Sequence, residues 1–312
     1  MYSDRECSRR EFIKDATLLG FGTISITAAG GLILDAAAKT HSYHAPGTGL
    51  DLAVATNGTP NDNTEKAIKA LGGMARFVKP GDKVVLKPNC ISPRPPEFAI
   101  NTHPEVVQTV TRLCMEAGAS EVVAVTNDLP DNFPASGMEE ALHRSGGTWE
   151  TPRFAHNFRQ VILPRGILLR RTHILNRVLD ADIFINIPIA KHHAESQLTL
   201  GMKNFMGISF DRQVMHARGL HQCIADLNTA VKPHLTVMDA NYMLLTNGPG
   251  GPGNTRNQKT VIAGTDPVLV DAYTATLFGI EPREVGHIRY AAEMGLGIMH
   301  LKAASIQEFK LQ

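Results

Sequence analysis

Apolar positions along this chain recur in two alternating periods, one of two residues and one of three to four, and their succession lays out the elements. Residues 51–56 read as a strand and residues 63–78 as a helix with apolar side chains at helical spacing. The turn Pro80-Gly81-Asp82 leads into Lys83-Val84-Val85-Leu86-Lys87, an apolar strand bounded by lysines. Residues 104–116 form an amphipathic helix with Pro104 in its first turn and Gly118 just past its end. A strand over 121–126, a breaker-rich loop and a helix over 137–144 follow. Further on, strands are expected at 160–163, 183–187, 235–238 and 261–264, and helices at 175–179, 220–231 and 267–277.

Helix-period and strand-period segments taking turns predict an α/β fold, a largely parallel sheet with helices on both faces. A smaller second subdomain stays open. The sequence contains no internal repeat and no low-complexity tract.

The first fifty residues have a different character. Ser8-Arg9-Arg10-Glu11-Phe12-Ile13-Lys14 precedes a mildly apolar run over 16–34 and then Ala36-Ala37-Ala38, the layout of a twin-arginine signal peptide. Read as a transmembrane helix, the run is weakened by Gly20, Gly22, Gly30 and Gly31. The expected organisation is a signal over residues 1–38, cleaved near Ala38 or kept as an anchor, a linker over 39–50, and one α/β domain over 51–312. The expected partner is the twin-arginine export machinery, and the expected location is the periplasm or another extracytoplasmic space.

Composition narrows the partners. With 31 Lys+Arg against 30 Asp+Glu the formal charge is +1. Residues 1–38 carry four basic and five acidic side chains, so the remainder stands at +2. That balance excludes the basic face that nucleic acid requires. Cys7, Cys90, Cys114 and Cys223 form no C-x-x-C pair, which argues against an iron–sulfur cluster held by this chain alone. An oxidising compartment would permit one disulfide among the last three, without sequence choosing the pair.

In open α/β sheets ligands gather at the carboxyl ends of strands. Lys87-Pro88-Asn89 puts an ammonium and an amide at one such end, and Thr126-Asn127-Asp128 puts a carboxylate at the next. The densest cluster follows residues 183–187: Lys191-His192-His193, then Lys203-Asn204 with Gly207. Two lysines, adjacent histidines and an asparagine can bind an anion or supply an acid/base pair. Adjacent residues point apart, so one histidine is expected to face the site, with His192 favoured beside Lys191. His192, His216 and His221 with a carboxylate would make a metal site for zinc, nickel or iron. Asp239 ends the strand 235–238, and Gly250 and Gly251 sit in a glycine-rich loop able to approach an anion. Asp266 reads as a helix N-cap, and Asp271 stands inside an apolar helix face.

Taken in order, Lys87-Pro88-Asn89, Thr102-His103-Pro104-Glu105, Lys191-His192, Lys203-Asn204 with Gly207, His221, Asp239, Gly250-Gly251-Pro252 and Asp266-Pro267 with Asp271-Ala272 resemble the family called domain of unknown function 362. The resemblance covers nearly all of residues 51–300 and implies that these positions share one site. Many relatives carry a ferredoxin-like cysteine motif that is missing here, which leaves open a redox partner protein.

The function expected from these features is an exported enzyme acting on a small anionic substrate with a bound metal or other cofactor. Lys191, His192, Lys203 and Asp239 are the expected catalytic residues, and Lys87, Asn89, Asn127, Asn204, Gly250 and Gly251 the expected binding residues. A periplasmic metal- or anion-binding protein without catalysis is the alternative.

Overall fold

Alternation along single strands divides this protein into two cores. In the computed structural model, which describes residues 48–312, Val84 and Leu86 face one core and Val85 the other; Val122 and Ala124 likewise oppose Val123 and Val125. A strand that is apolar on both faces must be covered on both.

The elements run β1 (Leu52–Thr56), α1 (Pro60–Ala70), β2 (Lys83–Pro88), α2 (Pro104–Glu116), β3 (Glu121–Val125), α3 (Asn132–Ala135), α4 (Met138–Arg144) and β4 (Thr148–Glu150). Next come β5 (Phe158–Ile162), β6 (Arg171–Leu175), α5 (Asn176–Asp180), β7 (Ile183–Ile187), β8 (Ile189–His193), β9 (Gln197–Thr199), α6 (Gly201–Asn204) and α7 (Arg212–Arg218). The chain closes with α8 (Leu220–Leu227), β10 (Leu235–Leu244), β11 (Thr255–Gly264), α9 (Pro267–Leu277), α10 (Gly286–Glu293) and β12 (Ile306–Lys310).

The main sheet is ordered β12-β1-β11-β10-β7-β2-β3-β4, with β8 and β9 added beside β10. From β10 through β7, β2 and β3 to β4 every pairing is parallel, whereas β11 runs antiparallel to both neighbours. The expected α/β architecture with a largely parallel sheet is therefore present. Helices α1, α2 and α4 cover one face, and α6, α8, α9 and α10 the other. A separate antiparallel pair, β5 and β6, packs against the second core.

Local chemistry accounts for the helix ends. Thr59 and Asp62 form a capping box on α1, and Pro60 needs no N–H at its first turn. The helix stops before Gly72 and Gly73, both at positive φ. The expected helix over 63–78 is thus too long, because Met74, Phe77 and Val78 keep its apolar spacing in a separate 3-10 turn.

Two further expectations need correction. The strand expected at 235–238 continues to Leu244, and that at 261–264 already begins at Thr255, since the two pair with each other well beyond their apolar stretches. Residues 189–193, for which no element is expected, form β8: Pro188 ends β7, and the chain resumes alongside β10. β4, β6 and β12 were not anticipated.

The order of strands reverses beside β2. From β2 the chain steps outward to β3 and β4, then returns through β7 on the other side of β2. Such a reversal opens a crevice at the carboxyl ends of the parallel strands.

Asp226 of α8 ties the β5–β6 excursion to the body, accepting the Leu168 and Leu169 N–H groups, both at 2.8 Å. Asp226→Ala leaves both donors without their partner and is expected to destabilise by about 1–3 kcal/mol. Urea denaturation checks the magnitude, and faster hydrogen exchange at Leu169 checks the location.

Candidate functional site

β2 delivers Lys87 to the crevice opposite Asn186 of β7. The flanking apolar register fixes the direction: Lys87 shares its strand face with Val85 and departs from Val84 and Leu86. Its ammonium donates to the Pro88 carbonyl. Gly207 makes room for it, since a Cβ there would lie 2.7 Å from Lys87 Cε.

An amide lattice links the converging segments. Asn204 Nδ2 donates to the Lys87 carbonyl (2.9 Å) and to Asn186 Oδ1 (2.8 Å), while its Oδ1 accepts from Asn89 Nδ2 (3.0 Å). Asn89 Oδ1 in turn accepts from Lys191 Nζ at 3.0 Å, and Lys191 also donates to the Ile100 carbonyl at 2.6 Å. The short helix α6, which carries Lys203 and Asn204, is held by Asp271 of α9, whose carboxylate accepts the Gly201 and Met202 N–H groups. Burial pushes the Asp271 carboxyl up to about 7. Gly201 has no space for a side chain, because a Cβ would sit 2.8 Å from Asp271 Oδ1.

These groups surround a cavity of about 230 Å³ lined by Lys87, Asn89, Asp128, Lys191, His193 and Lys203, among others. Arg212 and His216 complete its charged wall. Four cationic side chains thus face one carboxylate, that of Asp128, which Arg212 approaches at 3.3 Å. The lysines are 2% (Lys87), 0% (Lys191) and 8% (Lys203) exposed. Burial lowers all three, Lys191 to about 7 with the Lys203 charge adding to the effect, and Lys87 and Lys203 to about 8.

Their partners are unequal. Lys191 has two oxygen acceptors and Lys87 one, whereas the Lys203 ammonium contacts the Met206 thioether at 3.7 Å, a weak acceptor.

His193 is the histidine of β8 that lines this cavity. Its Nδ1 accepts from the Glu195 and Ser196 N–H groups, so the neutral ring carries its proton on Nε2. Burial, then the Lys203 charge, depress it to about 3 and keep it neutral. Its ring stacks at 6.3 Å on His216, which bonds the Glu195 carboxylate.

The structure therefore gathers Lys87, Asn89, Lys191, Lys203 and Asn204 around one cavity and places the other expected catalytic and binding residues away from it. His192 does not line the cavity. Residues two apart on a strand share a face, so Lys191 selects His193, while His192 Nδ1 anchors the glycine-rich loop by accepting the Gly248 N–H at 3.1 Å. Asp239 lies within β10 and not at its end, and does not line the cavity. Its carboxylate accepts from His103 N and from the backbone and side chain of Asn241, which anchors the start of α2. Burial raises its pKa.

Asn127 also stands back, donating its N–H to the Gly207 carbonyl, and its neighbour Asp128 reaches the cavity instead. Of the glycine-rich loop Pro249 lines the wall; Gly250 and Gly251 do not. Side-chain parity could have found His193, but nothing local marks Arg212.

The proposed metal set does not assemble. His216 pairs with Glu195 and His221 with His287, whose Nδ1 is 3.3 Å away. Among the described residues no three His, Cys, Asp or Glu side chains converge to hold a metal ion. Cys90, Cys114 and Cys223 are buried free thiols. Residues 1–38, expected as a twin-arginine signal, and residues 39–47 of the expected linker lie outside the described residues.

The model of the domain of unknown function DUF362 matches residues 84–276, more than half of the chain. The protein belongs to the DUF362 family. This DUF362 chain is 26% identical over 251 residues to a thylakoid-associated protein of Synechocystis, covering 73% of each. Among solved structures it is similar to the lactate racemase apoprotein of Thermoanaerobacterium thermosaccharolyticum, with a TM-score of 0.42 and 11% identity over 78% of this chain and 57% of that one. A Thermotoga maritima protein gives a TM-score of 0.42 and 12% identity over 75% and 58%. This chain spans less than three fifths of either solved chain.

The lysines of this DUF362 site set a pH dependence. Their folded pKa values lie below the unfolded value of 10.5, so between about 7 and 10.5 the unfolded chain binds more protons and stability rises with pH. Below about 7 the fold bears the full cost of the buried charges. Urea midpoints of the ligand-free protein are expected to climb from pH 7 to 9, below the range in which the thiols buried in the fold titrate in the unfolded chain with the opposite sign, and to climb less in Lys191→Met; equal slopes in the two would refute the shift at Lys191.

Proposed function

We propose that this protein binds a small carboxylate or phosphate in the crevice at the carboxyl ends of β2, β3 and β7, and that it is an enzyme for that anion. The observation that carries the reading is the cavity wall itself, four cationic side chains against one lining carboxylate, with no oxygen partner for Lys203 among the described residues. Buried charge without a counter-charge is costly, and an anion of matching size relieves it. A cavity of about 230 Å³ lies below the ~300–1,000 Å³ typical of drug-sized pockets, which favours a ligand of few heavy atoms.

Catalysis is favoured over simple capture by what else lines the wall. A binding site needs cations, whereas this one adds a neutral imidazole at His193, the His216 ring, which bonds the Glu195 carboxylate outside the lining, and lysines whose pKa values lie near 7–8. Groups poised near neutrality suit proton transfer. Lys191 holds charge, Asn89 and Asn204 fix its direction, and His193 donates a neutral hydrogen bond.

Thermal unfolding with added oxalate or phosphate tests the anion site, because a ligand of the native state stabilises by about 2.7 kcal/mol at a hundred times its Kd. A concentration-dependent rise in melting temperature is expected, reduced in Lys191→Met. No rise with any small carboxylate or phosphate would sink the reading.

The same proposal places the protein outside the cytoplasmic membrane by the twin-arginine route. Replacing Arg9 and Arg10 by lysine is expected to retain the chain in the cytoplasm; fractionation that still finds it exported would remove this part of the proposal.

A further inference from the structure

The three buried lysines are not equivalent, and the difference assigns one of them a chemical step. Lys191 is fully buried and spends its hydrogen bonds on Asn89 Oδ1 and the Ile100 carbonyl; Lys87 is committed to the Pro88 carbonyl. Both nitrogens are held in place by these acceptors. Lys203 retains some exposure within the cavity and touches the Met206 thioether in place of an oxygen acceptor. Its nitrogen can leave that contact at little cost.

We propose that Lys203 is an amine nucleophile that forms an imine with a small carboxylate bearing an adjacent carbonyl, a 2-oxo acid. The assignment rests on the anion site described above and deepens it.

Three observations support it. Burial, with the Arg212 charge adding to it and the Glu195 carboxylate opposing it, favours the neutral amine of Lys203, which is lowered to about 8. A lysine desolvated beside other cations is an established way to expose an amine lone pair near neutral pH. Secondly, the cations that surround Lys203 take the carboxylate, and the small cavity keeps the reacting carbonyl close to it, which selects 2-oxo over more distant ketones. Thirdly, the wall offers His193, a neutral donor through Nε2–H, suited to a carbonyl or carbinolamine oxygen.

The step balances without an oxidant or reductant. The Nζ lone pair attacks the carbonyl carbon, the C=O π pair moves to oxygen, and that oxygen is protonated to give a carbinolamine. Loss of the hydroxyl with a second proton, as water, forms the C=N bond. Overall, lysine ammonium plus 2-oxo acid gives iminium plus water. The iminium keeps the positive charge of the ammonium, so the charge of the cavity is unchanged.

Incubation of the full chain with pyruvate and sodium borohydride, followed by intact mass and peptide mapping, tests the assignment. The expected result is a single reduced adduct on Lys203, absent from Lys203→Arg, with trapping that accelerates as pH rises through about 8, well below the ordinary lysine value near ~10.4. Lys203→Arg keeps the cation, so oxalate, which has no ketone, is expected still to raise its melting temperature; a folded but untrapped variant then separates chemistry from stability. An adduct on Lys87, Lys191 or scattered surface lysines overturns the assignment. No adduct with an intact oxalate shift overturns the imine and spares the anion site, whereas loss of both overturns the two together.

Discussion

The cost of holding three ammonium groups inside the fold governs the architecture around the crevice. A buried charge is tolerated in proportion to its partners, and here the partners are graded from two oxygens on Lys191 to a thioether on Lys203. The Asn89–Asn204–Asn186 lattice spends its side-chain amides on orienting these groups and the strand ends that carry them. Any one of those amides turned about would present donor to donor. The lattice therefore works as a unit, and the surplus of positive charge it leaves uncompensated is the feature on which the proposed anion site rests.

Rigid elements deliver the groups. Lys87 comes from β2 and Lys191 with His193 from β8, while Lys203 and Asn204 ride on a four-residue helix pinned by Asp271. Behind them, Asp239 secures the turn at His103, and Thr102 joins the Asn89 backbone to the Ile187 carbonyl. Small residues are required where backbone approaches backbone: a Cβ on Gly248 would run into the His192 carbonyl. The residues that touch the cavity are thus backed by others that hold them, which is the usual demand of a site whose charges must not relax.

Much of this could be read from the chain. The apolar strands β2, β3 and β7, the helix starts at Pro104 and Pro267, and the concentration of lysine and asparagine after strand ends were all legible, because each is a local pattern tied to backbone geometry. Errors arose where local and tertiary signals diverged. Polar Asp239 and Asn241 hid the continuation of β10, whose ladder with β11 pays no regard to side-chain polarity. Pro188 hid β8, and with the strand went the parity that pairs His193, not His192, with Lys191.

By itself the sequence determined the alternation of strands and helices, the two-faced burial of the sheet, and the supply of cationic and amide groups to its carboxyl edge, since hydrophobic period and chain order suffice for these. Only the tertiary structure decided which groups meet. Asp128, Arg212, His193 and Lys203 come from separate segments, and Asp271 reaches α6 across about seventy residues of chain. Such meetings depend on strand order and on the reversal beside β2, which are set by packing summed over the whole fold and leave no mark on any single stretch of residues.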